Sequence, residues 1–259
     1  MRQPLAFINP AAKIAPGVVI DPFVTIDANV EIGEGTRVLS GATILEGSRI
    51  GRNCVIFPNA VIGGIPQDLK FRGEDTLAII GDNTTIRECV TVNRGTAARG
   101  YTKVGSNCLI MAYSHVAHDC VVGDNVIIAN STQLAGEVVV DDYAIIGGGT
   151  LVHQFCHLGS HIMVQGGALI NKDIPPFVKA AREPISYTGI NSVGLRRRGF
   201  SSETIRDIQE VYRYIYMSGM NVTDAIERIE TELPATPERD EILQFVRNSK
   251  RGIIRGYFS

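Results

Sequence analysis

An aliphatic residue recurs at nearly every sixth position of this chain between Ile8 and Ile170. Of the 28 sixth positions in this range, 25 hold Ile, Val or Leu, and only Asp68, Glu74 and Ala98 do not. Neither a helix, with its period of 3.6 residues, nor a flat strand, with its period of two, would keep an aliphatic residue strictly at every sixth position. Such a repeat indicates a solenoid, whose stacked coils bury their inner faces against one another.

A second, mostly small residue follows each aliphatic anchor by four positions, as at Ala42, Cys54 and Ala60. This spacing resembles the left-handed parallel β-helix of hexapeptide repeats, in which three hexapeptides complete one coil. Residues three hexapeptides apart then stack on neighbouring coils, about 4.8 Å from each other. We predict a mainly β fold, with this β-helix over residues 1–175 and a linker and C-terminal α-helical domain over residues 176–259.

Cysteine usage and charge exclude several classes of protein. Cys54, Cys108, Cys120 and Cys156 occupy small inward positions, where a free thiol packs as a small hydrophobe, and no CxxC spacing occurs. The formal net charge of −2 argues against nucleic-acid binding. No apolar run approaches the roughly 18 residues of a spanning helix, and the N-terminus lacks a signal-peptide core, so we expect a cytoplasmic protein without a transmembrane segment.

Two stretches interrupt the repeat, near residues 63–79 and 97–103. Insertions in solenoids form loops, often on the binding face, so Gln67, Asp68, Lys70 and Arg72 in the first stretch are candidates for ligand contacts. The alternative is a charged, solvated excursion without function. The second stretch is shorter and less informative.

The C-terminal part has the sequence signals of several short helices, namely N-cap residues and apolar residues at helical spacing. Ser201 or Ser202 can cap a first helix that ends before Gly219, and a second helix is predicted near Thr223–Leu233. A third begins at Thr236 with a proline in its first turn. The apolar face of the first helix consists of Ile205, Ile208, Val211, Tyr212 and Ile215. We expect these helices to pack on the solenoid or on a neighbouring subunit.

His115 and His118 fall on neither the aliphatic nor the small positions, so we expect both to be exposed on the outer wall. Gly136 follows His118 by one full coil, which puts its backbone N–H beside the imidazole. An imidazole can take the proton of an attacking hydroxyl, and an N–H can hold the resulting oxyanion. Asp119 could orient the imidazole. The pattern indicates acyl transfer by direct attack, with His118 as general base.

Three other interpretations are open from the residues alone. A zinc site at His115 and His118 would need further ligands, such as His153 or His161 of another subunit. Ser114 as a nucleophile is disfavoured by its inward position. A bare solenoid that serves as an assembly scaffold would have no need of His118.

Four motifs make the resemblance specific: QDLK at 67–70, HVAHDC at 115–120, VHQF at 152–155 and NSVGLRRRGF at 191–200. Together they resemble the acyl-carrier-protein:UDP-N-acetylglucosamine O-acyltransferase family of lipid A biosynthesis, over essentially the whole chain. The resemblance implies transfer of an R-3-hydroxyacyl chain from acyl carrier protein to the 3-hydroxyl of UDP-N-acetylglucosamine, the first step of that pathway. It also implies a homotrimer with sites between subunits, and no cofactor beyond the phosphopantetheine thioester of the donor.

The same resemblance assigns roles to individual residues. His118 matches the general base, Asp119 its partner and Gly136 the oxyanion donor. Positions that match the nucleotide-sugar site are Gln67, Asp68, His115, His153, Gln154 and Arg198. Positions near the phosphopantetheine arm are Lys70, Asn191 and Arg197, and Gly166 matches the position that sets acyl length, where glycine implies room for a long chain.

Two positions depart from the family pattern. Glu137 stands where a histidine often follows the oxyanion glycine, and Val193 stands where an acidic residue is common, which weakens the expected uracil contact. A rival acyltransferase that uses coenzyme A would share the coil but would have no reason for the QDLK and RRRGF motifs. The related N-acyltransferase carries an additional N-terminal domain, whereas the repeats begin here at Ile8.

Overall fold

The chain winds into a parallel β-helix of three sheets, in a computed structural model that describes residues 4–256. Each coil contributes one short strand to each sheet, and the strands of a sheet stack in parallel along the solenoid. The first sheet consists of β1 Phe7–Ile8, β4 Thr25–Ile26, β7 Thr43–Ile44, β10 Val61–Gly64, β13 Thr91–Asn93, β16 His115–Val116, β19 Gln133–Leu134, β22 Leu151–Val152 and β25 Leu169–Ile170.

The other two sheets close the triangular cross-section. The second sheet consists of β2 Lys13–Ile14, β5 Glu31–Ile32, β8 Ser48–Ile50, β11 Leu77–Ile80, β14 Tyr101–Val104, β17 Val121–Val122, β20 Val139–Val140 and β23 His157–Leu158. The third consists of β3 Val19–Ile20, β6 Arg37–Val38, β9 Val55–Ile56, β12 Thr85–Ile86, β15 Leu109–Ile110, β18 Ile127–Ile128, β21 Ile145–Ile146, β24 Met163–Val164, β26 Val178–Ala181, β27 Ser186–Ile190 and β28 Arg255–Gly256.

The strand register confirms the predicted coil of three hexapeptides. His115 pairs with Gln133, and the same step holds along most of each sheet. Longer steps occur where Val61 pairs with Thr91 and where Thr91 pairs with His115, because the two insertions lie between these strands. The insertions occupy residues 65–76 and 94–100, close to the predicted bounds.

The core of the solenoid is a column of aliphatic anchors. Between Ile20 and Ile170 every anchor on a strand is buried, and the small residues four positions later fill the corners. Burial raises the pKa of the Cys108 thiol to about 11 and that of Cys120 to about 12. These thiols therefore stay protonated and pack as small apolar groups, as predicted.

Three corners join the sheets. The turns from the first to the second sheet form the histidine corner, which comprises residues 65–76, 94–100, 117–120, 135–138 and 153–156. The arginine corner, between the second and third sheets, comprises residues 81–84, 105–108, 141–144 and 159–162 together with residues 191–198, which pack there. The glycine corner, between the third and first sheets, comprises residues 147–150 and 165–168. Both insertions thus leave the coil at the histidine corner.

Beyond the last full coil, the chain does not pass directly into a linker. Strands β26 and β27 form an antiparallel hairpin that extends the third sheet, so the segment expected to be a linker from residue 176 is partly β-structure. Its apolar residues Phe177 and Val178 are buried against the last coil, which explains why the sheet continues.

Four helices follow: α1 Ser192–Arg197, α2 Ser202–Met217, α3 Val222–Glu232 and α4 Pro237–Asn248. The predicted caps are confirmed, since Ser201 accepts a hydrogen bond from the Thr204 N–H and Thr236 accepts one from the Arg239 N–H. The five apolar residues predicted for the face of α2 are all buried. The short helix α1 was not predicted, because its glycine and arginine residues resemble a loop.

Candidate active site

His118, Asp119 and Gly136 lie together at the histidine corner. His118 Nδ1 is 2.8 Å from Asp119 Oδ2. A side chain at Gly136 would put its Cβ atom 2.6 Å from both Cε1 and Nε2 of His118, so the free edge of the imidazole lies against the bare glycine backbone. The predicted stacking across one coil is confirmed. The geometry leaves Nε2 available to a ligand at the surface of the corner.

The carboxylate of Asp119 is fully buried and has three donors. The Thr96 N–H donates to Oδ1 at 2.9 Å, and the Thr96 hydroxyl and His118 Nδ1 both reach Oδ2. Burial by itself raises the pKa of this carboxyl, but the hydrogen bonds from Thr96 and His118 outweigh burial and hold the pKa below its ordinary value. Asp119 is therefore ionised at neutral pH.

The backbone around Asp119 is fixed as well. Its φ of 61° lies in the left-handed region, and its N–H donates to the Thr102 hydroxyl at 2.8 Å. Thr96 and Thr102 belong to the second insertion and to the strand that follows it, which the sequence did not single out. The only sequence signal for them was that this insertion interrupts the repeat one coil before His118.

The expectation that both histidines are exposed is wrong for His118, which is only 8% exposed. The second insertion packs over the adjacent carboxylate, and the coil of Gly136 covers the ring from the other side. His115 is half-buried, and its Nδ1 is 2.7 Å from the Thr91 hydroxyl. Burial, followed by the proximity of His118, lowers the pKa of His115, so that its imidazole is neutral at pH 7.

The first insertion is held above the same corner. The Arg94 N–H donates to the Gly64 carbonyl, and the Arg94 guanidinium lies 5.4 Å from the centre of the Phe71 ring. The Thr76 hydroxyl donates to the Gly95 carbonyl at 2.6 Å, which joins the two insertions to each other.

The predicted contact residues of the first insertion are exposed, except for Asp68, which is half-buried. Gln67 and Lys70 are exposed on this loop, and Asp68 Oδ1 accepts a hydrogen bond from the Lys70 N–H. The Arg72 guanidinium donates to the Leu69 carbonyl at 2.8 Å, so it stabilises the turn of the loop. Arg72 is exposed as well, but its guanidinium is bonded to the loop backbone. Gln67 and Lys70 are the exposed side chains of this group that have no hydrogen bond among the described residues.

The last three histidines do not form one cluster. His153 is exposed at the histidine corner, beside the half-buried Gln154. His157 lies on the second sheet and is bonded to Asp141, whereas His161 lies at the arginine corner. Within residues 4–256, no group of three or more His, Cys, Asp or Glu side chains is arranged to hold a metal ion.

His161 and Arg198 form a second polar centre, at the arginine corner. The His161 ring stacks on Tyr143 at 4.8 Å and contacts Phe177 and Phe200. Arg198 Nη2 donates to the Tyr143 carbonyl at 2.9 Å, while its buried Nη1 has no partner among the described residues. Burial, aided by the charge of Arg198, lowers the pKa of His161 to about 4.

The remaining predicted site residues are distributed over two corners. Asn191 caps α1 by accepting from the Gly194 N–H, and it donates to the His161 carbonyl at 2.9 Å, so its amide is part of the fold. Arg197 is exposed at the end of α1. Gly166 lies at the glycine corner, where an added Cβ would meet the Gly148 carbonyl oxygen at 3.0 Å.

Glu137 and Val193, the two departures from the family pattern, differ in position. Glu137 is half-buried beside Gly136, and its N–H donates to the His118 carbonyl at 3.0 Å with a φ of 61°. Val193 is 57% exposed on α1. Within one chain, the predicted site residues other than Gly166 therefore fall into one group around His118 and another around Arg198.

Sequence profiles of known families match most of the chain. Residues 173–254 match domain 2 of UDP-N-acetylglucosamine O-acyltransferase, and residues 101–136 match six bacterial transferase hexapeptide repeats. Residues 2–98 match a GMPPB C-terminal domain. Among the described residues, no helix is both long and apolar enough to cross a membrane.

Curated relatives and solved structures agree with these profiles. The chain is 61% identical over 196 residues to the acyl-[acyl-carrier-protein]–UDP-N-acetylglucosamine O-acyltransferase of Chlorobaculum tepidum, in a match that covers 75% of this chain and 74% of that protein. It is 58% identical over 201 residues to the Sulfurihydrogenibium sp. enzyme of that name, in a match that covers 77% of this chain and 74% of that protein.

A crystal structure of a UDP-N-acetylglucosamine acyltransferase from Bacteroides fragilis superimposes with a TM-score of 0.97 at 57% identity, over 98% of this chain and 100% of that one. The predicted fold class, a left-handed parallel β-helix of hexapeptide repeats followed by α-helices, is thereby confirmed. Identity at this level over three quarters of the sequence, together with the matching fold, means that the chain belongs to the UDP-N-acetylglucosamine O-acyltransferase family.

Proposed function

We propose that this protein transfers an R-3-hydroxyacyl chain from acyl carrier protein to the 3-hydroxyl of UDP-N-acetylglucosamine, as the first step of lipid A biosynthesis. The observation that carries the proposal is the arrangement of His118, whose Nδ1 faces Asp119 while its Nε2 edge faces Gly136. The relatives named above carry out the reaction that their names state, and this arrangement supplies the groups that such a reaction needs.

The chemistry follows from the two sides of the imidazole. His118 Nε2 takes the proton of the sugar 3-hydroxyl as its oxygen attacks the thioester carbonyl carbon. The Gly136 N–H, which has no acceptor among the described residues, donates to the oxyanion that forms. The carbon–sulfur bond then breaks, and the imidazolium returns the proton to the departing thiol. Buried, ionised Asp119 stabilises the imidazolium in between.

No cofactor beyond the phosphopantetheine thioester is needed for these steps. The nucleotide sugar would contact Gln67, Asp68, His115, His153, Gln154 and Arg198, and the phosphopantetheine arm would lie near Lys70, Asn191 and Arg197. Gly166 would leave room at the far end of the acyl chain. The free cysteines fit the reducing cytoplasm, which is the compartment that we propose.

A homotrimer would complete this site. Between Arg37 and Lys179, the outward row of the third sheet is half-buried in the isolated chain and, apart from Thr85, apolar, as an interface would be. Its apolar members are Val55, Leu109, Ile127, Ile145 and Met163. The third sheet meets the first at the glycine corner. If the third sheet of one subunit packs on the first sheet of the next around a threefold axis, the arginine corner of one subunit comes beside the histidine corner of its neighbour.

Mixed trimers test this shared site. His118→Ala and Arg198→Ala subunits, each nearly inactive alone, would be unfolded together and refolded as trimers of random composition. Sites shared between subunits regain about one quarter of wild-type turnover, because half of the His118 positions and half of the facing Arg198 positions are intact. A mixture that stays as inactive as its parents would contradict a shared site.

A donor panel tests the reaction class. Acyl carrier protein and coenzyme A thioesters of a series of 3-hydroxyacyl chains would each be offered with UDP-N-acetylglucosamine, and O-acylated product measured. We expect turnover with the carrier-protein donors and with long chains. Strict use of coenzyme A would overturn the assignment in favour of another hexapeptide acyltransferase, and no transfer from any donor would favour a scaffold.

A further inference from the structure

We propose that Thr96, on the second insertion, is a positioning residue that fixes the carboxylate of Asp119 and, through it, the imidazole of His118. The inference rests on the proposed function, since it deepens the account of the same site. Thr96 bonds to Asp119 and not to the imidazole. Thr96 therefore acts on the base only indirectly, by fixing the carboxylate that orients the imidazole.

Thr96 grips the carboxylate at both oxygens. Its N–H donates to Asp119 Oδ1 at 2.9 Å, and its hydroxyl lies 2.7 Å from Oδ2, the same oxygen that faces His118 Nδ1 at 2.8 Å. Two contacts from one residue define the plane of the carboxylate as well as its position. A rotation that would draw Oδ2 away from the imidazole would therefore break both.

The direction of the hydroxyl hydrogen bond is fixed by its neighbours. The Ala98 N–H donates to Thr96 Oγ1 at 3.2 Å, so one lone pair of the hydroxyl is already used. Asp119 is ionised and can only accept, so the single hydroxyl proton points to Oδ2. Since Asp119 has no proton to offer, its contact with the imidazole requires a proton on Nδ1. Neutral His118 then has its lone pair on Nε2, the atom beside Gly136.

The loop that carries Thr96 is itself anchored. Gly95 allows a close approach to Tyr101, since an added Cβ would lie 2.4 Å from the Tyr101 nitrogen. The Gly95 carbonyl accepts the Thr76 hydroxyl of the first insertion, and the Gly100 N–H closes the loop on the Thr96 carbonyl at 2.7 Å. Thr96 is 7% exposed, so water does not compete readily for its hydroxyl. These hydrogen bonds hold the loop at both ends, so Thr96 has a fixed support from which to position Asp119.

Thr96→Val tests the proposal, because valine keeps the shape and the backbone N–H but removes the hydroxyl. We expect kcat to fall about 10- to 100-fold, the range for a lost hydrogen bond to a charged group, while the KM values of both substrates change less than about twofold. Thr96→Ser restores the hydroxyl and should restore kcat. If valine prevents folding, Thr96→Ala replaces it in the same comparison.

Thr84→Val is the matched control. The Thr84 hydroxyl is also buried; it donates to the Gly105 carbonyl and accepts from the Cys108 N–H. It lies inside the solenoid, three coils before the turn of Tyr143 on which Arg198 packs, and it contacts none of the site residues. This variant should lower Tm and leave kcat unchanged. A double variant gives a second readout: if Thr96 acts through Asp119, Thr96→Val causes no further loss of kcat in an Asp119→Asn background.

The outcomes separate the two proposals. A wild-type protein that transfers no acyl group would refute the proposed function and, with it, the role of Thr96. An active wild type with an unchanged kcat for Thr96→Val, or with an equal fall for Thr84→Val, would overturn only the positioning role. Independent, additive losses in the double variant would overturn it too.

Discussion

Two His–Asp pairs lie on this solenoid, and only one of them belongs to the candidate site. His118 with Asp119 and His157 with Asp141 have the same nitrogen-to-oxygen distance, 2.8 Å. The side chains of the first pair are 10% and 0% exposed, whereas those of the second are 38% and 36% exposed. The distance between an imidazole and a carboxylate therefore says little about their chemistry.

The two pairs differ in which ring nitrogen is engaged and in what surrounds it. His118 faces its carboxylate with Nδ1, which leaves Nε2 beside Gly136. His157 uses Nε2 for Asp141, and its ring packs against Phe245 of α4 at 4.5 Å. In the first pair, Thr96 holds the carboxylate and the imidazole Nε2 has no hydrogen-bond partner among the described residues. In the second pair, the imidazole packs against α4 and so helps to hold this helix on the solenoid. A base requires the free edge as much as it requires the carboxylate.

The largest difference between the pairs should appear on removal of each imidazole. His118→Ala should reduce turnover by at least about 1,000-fold, because general-base catalysis contributes on the order of 10²–10⁴ and the oriented charge is lost with it. His157→Ala should keep wild-type turnover. Steady-state rates with the acyl carrier protein donor, together with the trimer mass, provide the measurement. Near-normal turnover of a folded His118→Ala variant would refute the mechanism.

A methyl group added at Gly136, beside the imidazole of the first pair, should cause the next largest loss of turnover. Gly136→Ala would bring a Cβ within 2.6 Å of the imidazole, so the ring or the coil must shift, and we expect kcat to fall about 100-fold. Gly64→Ala is the control, since its Cβ meets no atom closer than 3.9 Å. Equal activity of the two variants would mean that the bare backbone beside His118 has no role.

The smallest effect concerns His161, an imidazole without a carboxylate partner. Its unfolded pKa is near 6.5 and burial lowers the folded value to about 4, so the unfolded chain binds more protons between these limits. The free energy of unfolding should therefore decrease by about 2–3 kcal/mol as the pH falls from 6.5 to 4. His161→Phe keeps an aromatic ring in the stack and should show a weaker dependence in denaturant titrations. An identical pH dependence would assign it to other groups.

The solenoid could be predicted because its rule is local and repeated. The side chain of each aliphatic anchor on a strand from Ile20 to Ile170 is buried in the core, as the repeat predicts. The step of three hexapeptides then determines which residues are neighbours on adjacent coils. The caps of α2 and α4 were predictable for the same reason, since a serine or threonine bonds a backbone N–H three positions further along. The hairpin of β26 and β27 was not, because its pairing depends on the exposed end of the last coil.

The site could be predicted only in part. The neighbourhood of His118 and Gly136 follows from counting coils, but the burial of His118 does not, because it depends on how the second insertion folds back. Thr96 lies on the coil before Asp119 but precedes it by 23 residues, not by the regular step of 18, because the second insertion lengthens that coil. Nothing in its sequence context distinguishes it from other loop threonines. The two insertions do not follow the hexapeptide repeat, so their conformation cannot be predicted from it. They nevertheless supply residues that complete the site, such as Thr96.

The register of His118 and Gly136 also constrains how such a site can change during evolution. Adding or deleting one hexapeptide between them would preserve every aliphatic anchor and the hydrophobic core. It would also turn all following residues by one third of a coil, which moves the glycine to a different edge of the prism. Insertions that loop out of the coil at a corner, as residues 65–76 and 94–100 do, avoid this rotation. The spacing between the two residues thus acts as a reading frame, and only changes that keep it in phase preserve the chemistry.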